Sequence, residues 1–153
     1  MTQLSQHFTL AELTRTSLTE YQKANAFEAE SYVSALTALC ATLLEPVRAK
    51  FGPVSIHSGF RGLTVNAAVK GTKGSQHLRG EAADFSCPSA RLEDVMRWIV
   101  HDSGLHYGQV ILEGRHGPPT WIHLSLGQPY RVGSSCMQAL VTTDGKSYAP
   151  YKC

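Results

Sequence analysis

The chain has 153 residues, a length typical of one domain, and its composition of 42% hydrophobic and 17% charged residues is that of an ordinary globular protein. The formal net charge is only +2 and the basic residues form no dense run, which argues against a nucleic-acid partner because duplex binding rests on clustered phosphate contacts. No apolar run approaches the roughly 20 residues that a membrane helix needs, so we expect no membrane insertion.

The first predicted elements are two helices. Thr9 precedes Glu12 by three residues, the spacing of a capping box, which predicts a short helix through about Arg15. A longer helix is predicted over residues 31–50, where apolar side chains recur at three- and four-residue steps and form one stripe. Pro46 should kink or end this helix locally. We interpret the longer helix as part of the scaffold.

The middle of the chain combines strands with a glycine-rich segment. Residues 54–57 alternate apolar and polar side chains, which predicts a half-buried strand, whereas residues 63–80 contain three glycines and resemble a loop. A second strand is predicted at residues 81–87. A helix should follow, capped by Ser89 and stopped by Gly104.

Three further strands complete the predicted fold. They cover residues 107–113, 120–126 and, more weakly, 138–143, and the segment 114–119 has the composition of a hairpin loop. Helices and strands that follow one another without regular alternation predict an α+β fold, with a small antiparallel sheet covered by helices. We expect one domain over residues 1–153.

Side-chain alternation along these strands predicts which residues face a cleft. In the strand over residues 120–126 the aliphatic side chains share one face, which places His123 on the opposite, outer face. Asp84 shares its face of the second strand with small residues, which leave room beside the carboxylate. Glu113 shares a face with Gln109 on the strand before the hairpin.

The segment "GSQHLRGEAADFS" carries the residues that point to chemistry. It places His77 on a loop that leads directly into the strand bearing Asp84, and His123 lies on a strand that can pair nearby. Two imidazoles and one carboxylate form a three-ligand zinc site with a fourth position open for water, as in catalytic zinc sites. Spacing alone leaves open the alternative of hydrogen-bonded histidines and a capped aspartate without a metal.

The cysteines do not add to this metal site. None of the four lies in a C-x-x-C pair, which argues against a cysteine-only zinc site, and a chain of this length folds without disulfides. We therefore expect reduced thiols at all four positions, which are Cys40, Cys87, Cys136 and Cys153.

The stretch "SGFRGLTVNAAVKGTKGSQHLRGEAADF", followed later by "WIHLS", resembles the superfamily of zinc D-Ala-D-Ala carboxypeptidases and endolysin peptidases. The shared pattern is Ser-Gly-aromatic-Arg, Ser-x-His, a glycine, Ala-x-Asp and a late aromatic-x-His. Here these are residues 58–61, 75–77, 80, 82–84 and 121–123. The stretches "HFTLAEL" and "LLEPVRAKFGPVSI" resemble the phage and prophage branch. The resemblance covers roughly residues 4–131, with the core motifs in about 54–131, and implies a hedgehog/DD-peptidase-like fold.

The resemblance implies roles for individual residues. His77, Asp84 and His123 would be the ligands of a Zn²⁺ cofactor, and Arg61 would steady the substrate carbonyl or its oxyanion. Ser75, which is expected to order the His77 loop or contact substrate, is a candidate substrate-binding residue. Gln76, within the same motif, and His116, in the hairpin loop, are the other two candidates.

One departure from the pattern concerns the general base. Many relatives carry glutamate three residues before the last histidine, where this chain has Thr120, and others carry histidine two residues before it, where this chain has Trp121. Glu113 is our candidate base, because an antiparallel hairpin would place it opposite Trp121 and near His123. Two alternatives stay open for Glu113: an exposed strand-end residue, or one that orients a zinc-bound histidine. The reserve candidates for the base are His106 and His116.

The resemblance predicts a zinc metallopeptidase that cuts peptidoglycan stem peptides or crosslinks, as an endopeptidase or a D,D-carboxypeptidase. We expect a monomeric phage or prophage lysis enzyme. No signal peptide is visible, so the chain should be made in the cytoplasm and act on the cell wall or in the periplasm after release through a phage pore. The alternative is a non-catalytic, zinc-bearing module of the same fold that binds the wall or builds the virion.

Overall fold

Helices surround one face of a six-stranded sheet in the computed structural model, which describes residues 1–127 and 137–152. Cys136, Cys153 and the last residues of the predicted motif region, 128–131, lie outside the described residues. The α-helices are α1 (Leu10–Leu13), α2 (Gln22–Ala29), α3 (Val33–Leu39), α4 (Glu45–Phe51), α5 (Leu63–Ala68) and α6 (Leu92–Arg97). The strands are β1 (Ser55–Ser58), β2 (Ala82–Ser86), β3 (Tyr107–Gly114), β4 (Pro119–Leu126), β5 (Gln138–Thr142) and β6 (Ala149–Pro150).

The sheet has the strand order β1-β2-β4-β3-β5-β6 and is mixed. The prediction of an α+β fold is confirmed, but the prediction of a purely antiparallel sheet is wrong, because β5 pairs with β3 in parallel. β4 runs antiparallel to β3, so it finishes at the end of the sheet where β3 begins. β5 begins at that same end, on the other side of β3, and therefore runs parallel to β3. Side-chain alternation carries no information about this direction.

The long predicted helix is divided into two α-helices by an irregular turn. A five-residue π-helical segment, Cys40–Leu44, joins α3 to α4, and the N–H of Glu45 donates to the carbonyl of Cys40. Pro46 stands in the first turn of α4, where its missing N–H costs no hydrogen bond. The expected local disturbance therefore lies just before the proline, and the helical path continues. No helix within residues 1–127 and 137–152 is long and apolar enough to cross a membrane.

Two local predictions are wrong. The segment 63–80, predicted as loop, contains α5 and a 3-10 helix, Gln76–Arg79. Tertiary contacts stabilise α5, because the Glu28 carboxylate accepts from the N–H of Leu63 at 3.2 Å. Ser89 does not cap the next helix, since α6 begins after Arg91 and has no side-chain cap.

The predicted faces of the strands are confirmed. Ala83, Phe85, Ile122 and Leu124 lie in the hydrophobic core with the apolar stripe of α3 and α4. The opposite face of β2 and β4 carries Asp84 and His123, away from that core. Residues 107–113 and 120–126 form the predicted antiparallel hairpin, so the strands that bear the candidate site are neighbours.

Candidate metal centre

Asp84 and His123 meet because β2 and β4 pair directly. They are Cα partners in the antiparallel ladder and therefore project from the same face of the sheet. The Nδ1 atom of His123 lies 2.8 Å from Oδ1 of Asp84. The alternation that buries Phe85 and Ile122 thus fixes the position of both polar side chains.

His77 reaches the same point from the 3-10 helix that precedes β2. The Ser75 hydroxyl accepts from the N–H of His77 at 3.3 Å, and Gly80 ends the turn in the left-handed conformation, with φ of 66°. The His77 side chain is buried, and its Nε2 atom lies 3.3 Å from Oδ1 of Asp84. The segment predicted as a plain loop is therefore a rigid support for this histidine.

Each histidine is fixed by a hydrogen bond on the nitrogen that faces away from Asp84. Nδ1 of His77 donates to the carbonyl oxygen of Gly59 at 2.7 Å, and Nε2 of His123 donates to the amide oxygen of Gln76 at 2.8 Å. Because these oxygens only accept, each outer nitrogen carries the proton of a neutral ring, and Nε2 of His77 and Nδ1 of His123 are the nitrogens that can offer a lone pair to a metal ion. Both of these nitrogens lie on the side of Asp84.

Together these three side chains fit a metal ion. His77, Asp84 and His123 each offer one ligand atom, and the three atoms lie within 4.8 Å of one another. Burial opposes the ionisation of Asp84, but in the metal-free chain the positive charge of His77 and hydrogen bonds from both histidines outweigh it, so the pKa of this carboxyl lies well below its usual range. A metal ion would replace the protons that lie between these three side chains. Two neutral imidazoles with outer hydrogen bonds and one carboxylate form a donor set that suits Zn²⁺.

Arg61 stands beside this centre on a loop with several anchors. Its backbone N–H donates to the carbonyl of His77 at 3.1 Å, and its guanidinium donates to the Ser75 hydroxyl at 3.4 Å. The buried Asn25 side chain holds both neighbours of Arg61, because it donates to the carbonyl of Phe60 and accepts from the N–H of Gly62. The backbone around Arg61 is therefore fixed on both sides, and the contact with Ser75 keeps the guanidinium near the centre.

Glu113 lies opposite Trp121 across the hairpin, as predicted. Burial raises the pKa of the Glu113 carboxyl, and the charge of Asp84 raises it further, while His123, Arg115 and the indole of Trp121 lower it. The indole N–H is near Glu113 but outside hydrogen-bond geometry. A half-buried carboxyl with a raised pKa beside a metal centre has the properties of a general base.

These residues line one cleft of about 430 Å³, which we call the metal arm. The sequence profile described as Peptidase M15 matches residues 6–125, a range that includes all three candidate ligands. The chain belongs to the peptidase M15 family. The M15 family consists of zinc-dependent peptidases, and no curated protein matches the chain.

The structure brings most of the predicted site residues of this M15 peptidase together. Arg61, Ser75, Gln76 and Glu113 line the metal arm with the three candidate ligands. His116 does not line it: this residue is exposed in the hairpin loop, and its backbone N–H donates to the carbonyl of Thr143. His106, a reserve candidate for the base, is also exposed and outside the metal arm.

Sequence reasoning missed three residues that line the metal arm of the peptidase: Lys70, Arg115 and Tyr148. Arg115 could have been found, because it follows Glu113 by two residues on the same hairpin. Nothing in the sequence pattern placed Tyr148 here, since it comes from the turn between β5 and β6, whose pairing was not predicted. Burial raises the pKa of the Tyr148 hydroxyl, and the nearby charges of Glu113, Asp144 and Asp84 raise it further.

Proposed function

We propose that this M15 peptidase is a zinc metallopeptidase that hydrolyses peptide bonds in bacterial peptidoglycan stem peptides or crosslinks. The observation that carries the proposal is the convergence of His77, Asp84 and His123 with both outer imidazole nitrogens hydrogen-bonded. The outer hydrogen bonds leave one ligand nitrogen of each histidine facing the same carboxylate, which is the arrangement of a three-ligand metal site.

The roles of the residues follow from their positions. His77, Asp84 and His123 would hold Zn²⁺, which supplies a Lewis acid that activates water and polarises a carbonyl. Glu113 accepts the proton of the attacking water and later passes it to the leaving amine. Arg61 donates hydrogen bonds to the oxygen of the attacked carbonyl as negative charge develops there. Gln76 keeps His123 in the required tautomer, which adds a positioning role to its predicted contact with substrate.

We also propose a biological setting, a monomeric lysis enzyme of a phage or prophage that acts on the cell wall after release through a phage pore. It is supported by the resemblance of the "HFTLAEL" and "LLEPVRAKFGPVSI" stretches to the phage and prophage branch. The setting is independent of the chemistry, and either can stand without the other.

The decisive experiment incubates the purified full chain with defined muropeptides, with and without added zinc, and identifies new peptide ends by mass spectrometry. We expect one equivalent of zinc per chain and cleavage that a chelator abolishes. His77→Ala should lose both properties, whereas His101→Ala, at an exposed position outside the metal arm, should keep both. Zinc binding and wall binding without cleavage would favour the non-catalytic module, and absence of stoichiometric zinc would refute the metal centre.

A further inference from the structure

The turn between β5 and β6, residues 143–148, lies beside the candidate metal centre. β5 pairs in parallel with β3, and the last pair of this register joins Glu113 to Thr142. The chain therefore leaves the sheet next to the candidate base. The N–H of His116 donates to the carbonyl of Thr143 at 2.8 Å, which also ties this turn to the hairpin of β3 and β4.

The turn is held in shape by hydrogen bonds to one carboxylate. Oδ1 of Asp144 accepts from the N–H groups of Ser147 and Lys146 at 2.8 Å each. It also accepts from the Thr142 hydroxyl at 3.1 Å. The backbone hydrogen bonds from Ser147 and Lys146 lower the pKa of Asp144 to about 2, so this carboxyl is ionised and accepts at neutral pH. The residue that follows this network in the chain therefore has a fixed starting point.

Tyr148 is that residue, and its side chain lines the metal arm while 48% of its surface stays exposed. Its hydroxyl donates to the carbonyl of Gly145 at 3.2 Å, longer than the usual O–H···O distance of about 2.7–2.8 Å. A substrate oxygen can replace this carbonyl as the acceptor at little cost, because one hydrogen bond is exchanged for another. Burial and nearby negative charges raise the pKa of the hydroxyl, so it keeps its proton at neutral pH.

The strand order places Tyr148 across the metal centre from Arg61. Arg61 follows β1 at one edge of the sheet, whereas Tyr148 precedes β6 at the other edge. Between them lie Asp84 on β2, His123 on β4 and Glu113 on β3. All five side chains line the metal arm. A peptide that crosses the candidate metal centre therefore meets a hydrogen-bond donor on each side.

We propose that Tyr148 is a substrate-binding residue, whose hydroxyl donates to a main-chain carbonyl of the peptide on the Glu113 side of the metal arm. This inference rests on the proposed peptidase function, to which it adds a second point of attachment. Arg61 binds the oxygen of the attacked carbonyl, and Tyr148 binds the oxygen of a neighbouring one. Two attachment points fix how far the peptide slides along the cleft, which keeps the attacked carbonyl within reach of Glu113.

The contact is specific to the C-terminal part of this chain. The family-wide match ends at residue 125, so Tyr148 lies beyond it. A hydroxyl that binds a main-chain oxygen makes the same contact whichever side chain the peptide carries there. Tyr148 therefore sets the register of the peptide and does not select a charged group.

The test compares wild type with Tyr148→Phe, which removes only the hydroxyl. The substrate is a synthetic crosslinked dimer of stem peptides that ends in D-Ala-D-Ala. With zinc-loaded protein, we expect Tyr148→Phe to raise KM about 5- to 10-fold, with little change in kcat. Zinc stoichiometry and thermal stability should stay at wild-type values. A fall in kcat with unchanged KM would overturn the inference.

Modified substrates then locate the contact. Each main-chain carbonyl other than the attacked one is replaced in turn by a thioamide, whose sulfur accepts hydrogen bonds weakly. At one position we expect the thioamide to raise the KM of the wild type about 5- to 10-fold and to leave the KM of Tyr148→Phe unchanged. Equal thioamide effects in both proteins at every position would show that the hydroxyl binds no carbonyl, and would overturn the inference.

Tyr21→Phe is the matched control. It removes a phenolic hydroxyl at a half-buried position outside the metal arm. This variant should keep the wild-type KM and the wild-type thioamide effect. An equal rise of KM in Tyr21→Phe would show that the effect of Tyr148→Phe is not a contact in the metal arm, and would overturn the inference.

A binding measurement separates this inference from the proposed function. Calorimetry on the full chain, freed of metal by a chelator, measures binding of the same crosslinked dimer without cleavage. We expect Tyr148→Phe to bind it about 5- to 10-fold more weakly than the wild type. Such a difference without any cleavage by the zinc-loaded wild type would refute the peptidase proposal alone. Cleavage with equal affinity and equal KM in both proteins would refute the Tyr148 contact alone.

Discussion

In this M15 peptidase, the orientation of the candidate ligands His77 and His123 depends on the groups that accept their hydrogen bonds. The two histidines of the candidate metal centre can offer lone pairs to an ion beside Asp84, because Gly59 and Gln76 accept the protons on their outer nitrogens. Such outer hydrogen bonds fix the tautomer and the ring orientation before any ion arrives. We therefore expect that a substitution of Gln76, which is not a ligand, lowers metal affinity as strongly as a conservative substitution of a ligand.

Gln76→Leu tests this point, because it leaves the Nε2–H of His123 without an acceptor. We expect zinc affinity to fall about 10- to 100-fold, measured by competition with a chromophoric chelator. Gln76→Glu keeps an acceptor oxygen in the same place and should retain near wild-type affinity. If Gln76→Leu raised KM and left zinc affinity unchanged, Gln76 would be a substrate-binding residue only.

Glu113→Gln tests the assignment of the general base. We expect kcat to fall about 10²- to 10⁴-fold because the amide cannot accept the proton of the attacking water. Zinc stoichiometry and thermal stability should stay at wild-type values. Glu20→Gln makes the same change at an exposed position outside the metal arm and should leave activity unchanged. Full activity in Glu113→Gln would show that another residue is the general base.

The sequence predicted the residues of the centre better than their surroundings. His77, Asp84 and His123 were found from motif and strand parity, and the structure brings their ligand atoms together. Tyr148 was not found, because its place depends on the pairing of β5 with β3, which connects residues distant in sequence. His116 was placed in the cleft by its position in the hairpin, but the hairpin turns its backbone towards Thr143.

At the scale of secondary structure, the contact between α1 and the end of β1 supports the centre. Gly59 follows β1, and a Cβ atom at this position would collide with the backbone carbonyl of Leu13, at the end of α1. The same glycine supplies the carbonyl that accepts from His77. Close packing of a helix against a loop is thus connected to the orientation of a candidate ligand.

Gly59→Ala should therefore disturb both stability and the metal centre. Because the neighbour is backbone and cannot move aside cheaply, we expect the free energy of unfolding in urea to fall by about 1–3 kcal/mol. Zinc affinity should fall in the same variant. Gly117→Ala, at a position with open space and no left-handed backbone, is the matched control and should change neither quantity. If Gly59→Ala were destabilised but bound zinc with wild-type affinity, the packing of Gly59 against Leu13 would have no role in orienting the metal centre.

Helices and strands were predictable where the spacing of nearby residues in the sequence determines them. The capping box at Thr9, the strands β2, β3 and β4, and their faces follow from residue spacing. The helix α5 was missed because its first turn depends on Glu28, 35 residues earlier, and because the glycines that follow it dominated the pattern. The parallel pairing of β5 was missed because strand direction is decided by connections.

At the scale of the whole molecule, burial in the core makes two cysteines inert. Cys40 and Cys87 are free and buried, which agrees with the reduced thiols expected from the sequence. Burial raises the pKa of the Cys40 thiol to about 12, and the charges of Glu45 and Glu12 contribute in the same direction. Burial likewise raises the pKa of Cys87 to about 11. Both thiols therefore stay protonated and unreactive in the folded chain.

The Cys40 thiol should make the folded state less stable in alkali. An unfolded thiol ionises near pH 8.5, whereas folded Cys40 resists ionisation up to about 12. Its contribution to stability is thus complete below about pH 8.5 and is lost as the pH rises, by at most about 1.4 kcal/mol per pH unit. Urea unfolding at several pH values between 8 and 10.5 should show a steeper decline for the wild type than for Cys40→Ala. Equal slopes would contradict the burial of this thiol.

The turn between β5 and β6 has a consequence for how specificity evolves in this lineage. The family-wide match ends at residue 125, yet Gly145 and Tyr148 contribute to the far wall of the metal arm. The residues that would bind the ion therefore lie inside the family-wide match, whereas those that shape this wall lie outside it. Related proteins that exchange only their C-terminal hairpin would keep the same chemistry while acquiring a different preference for what they cut.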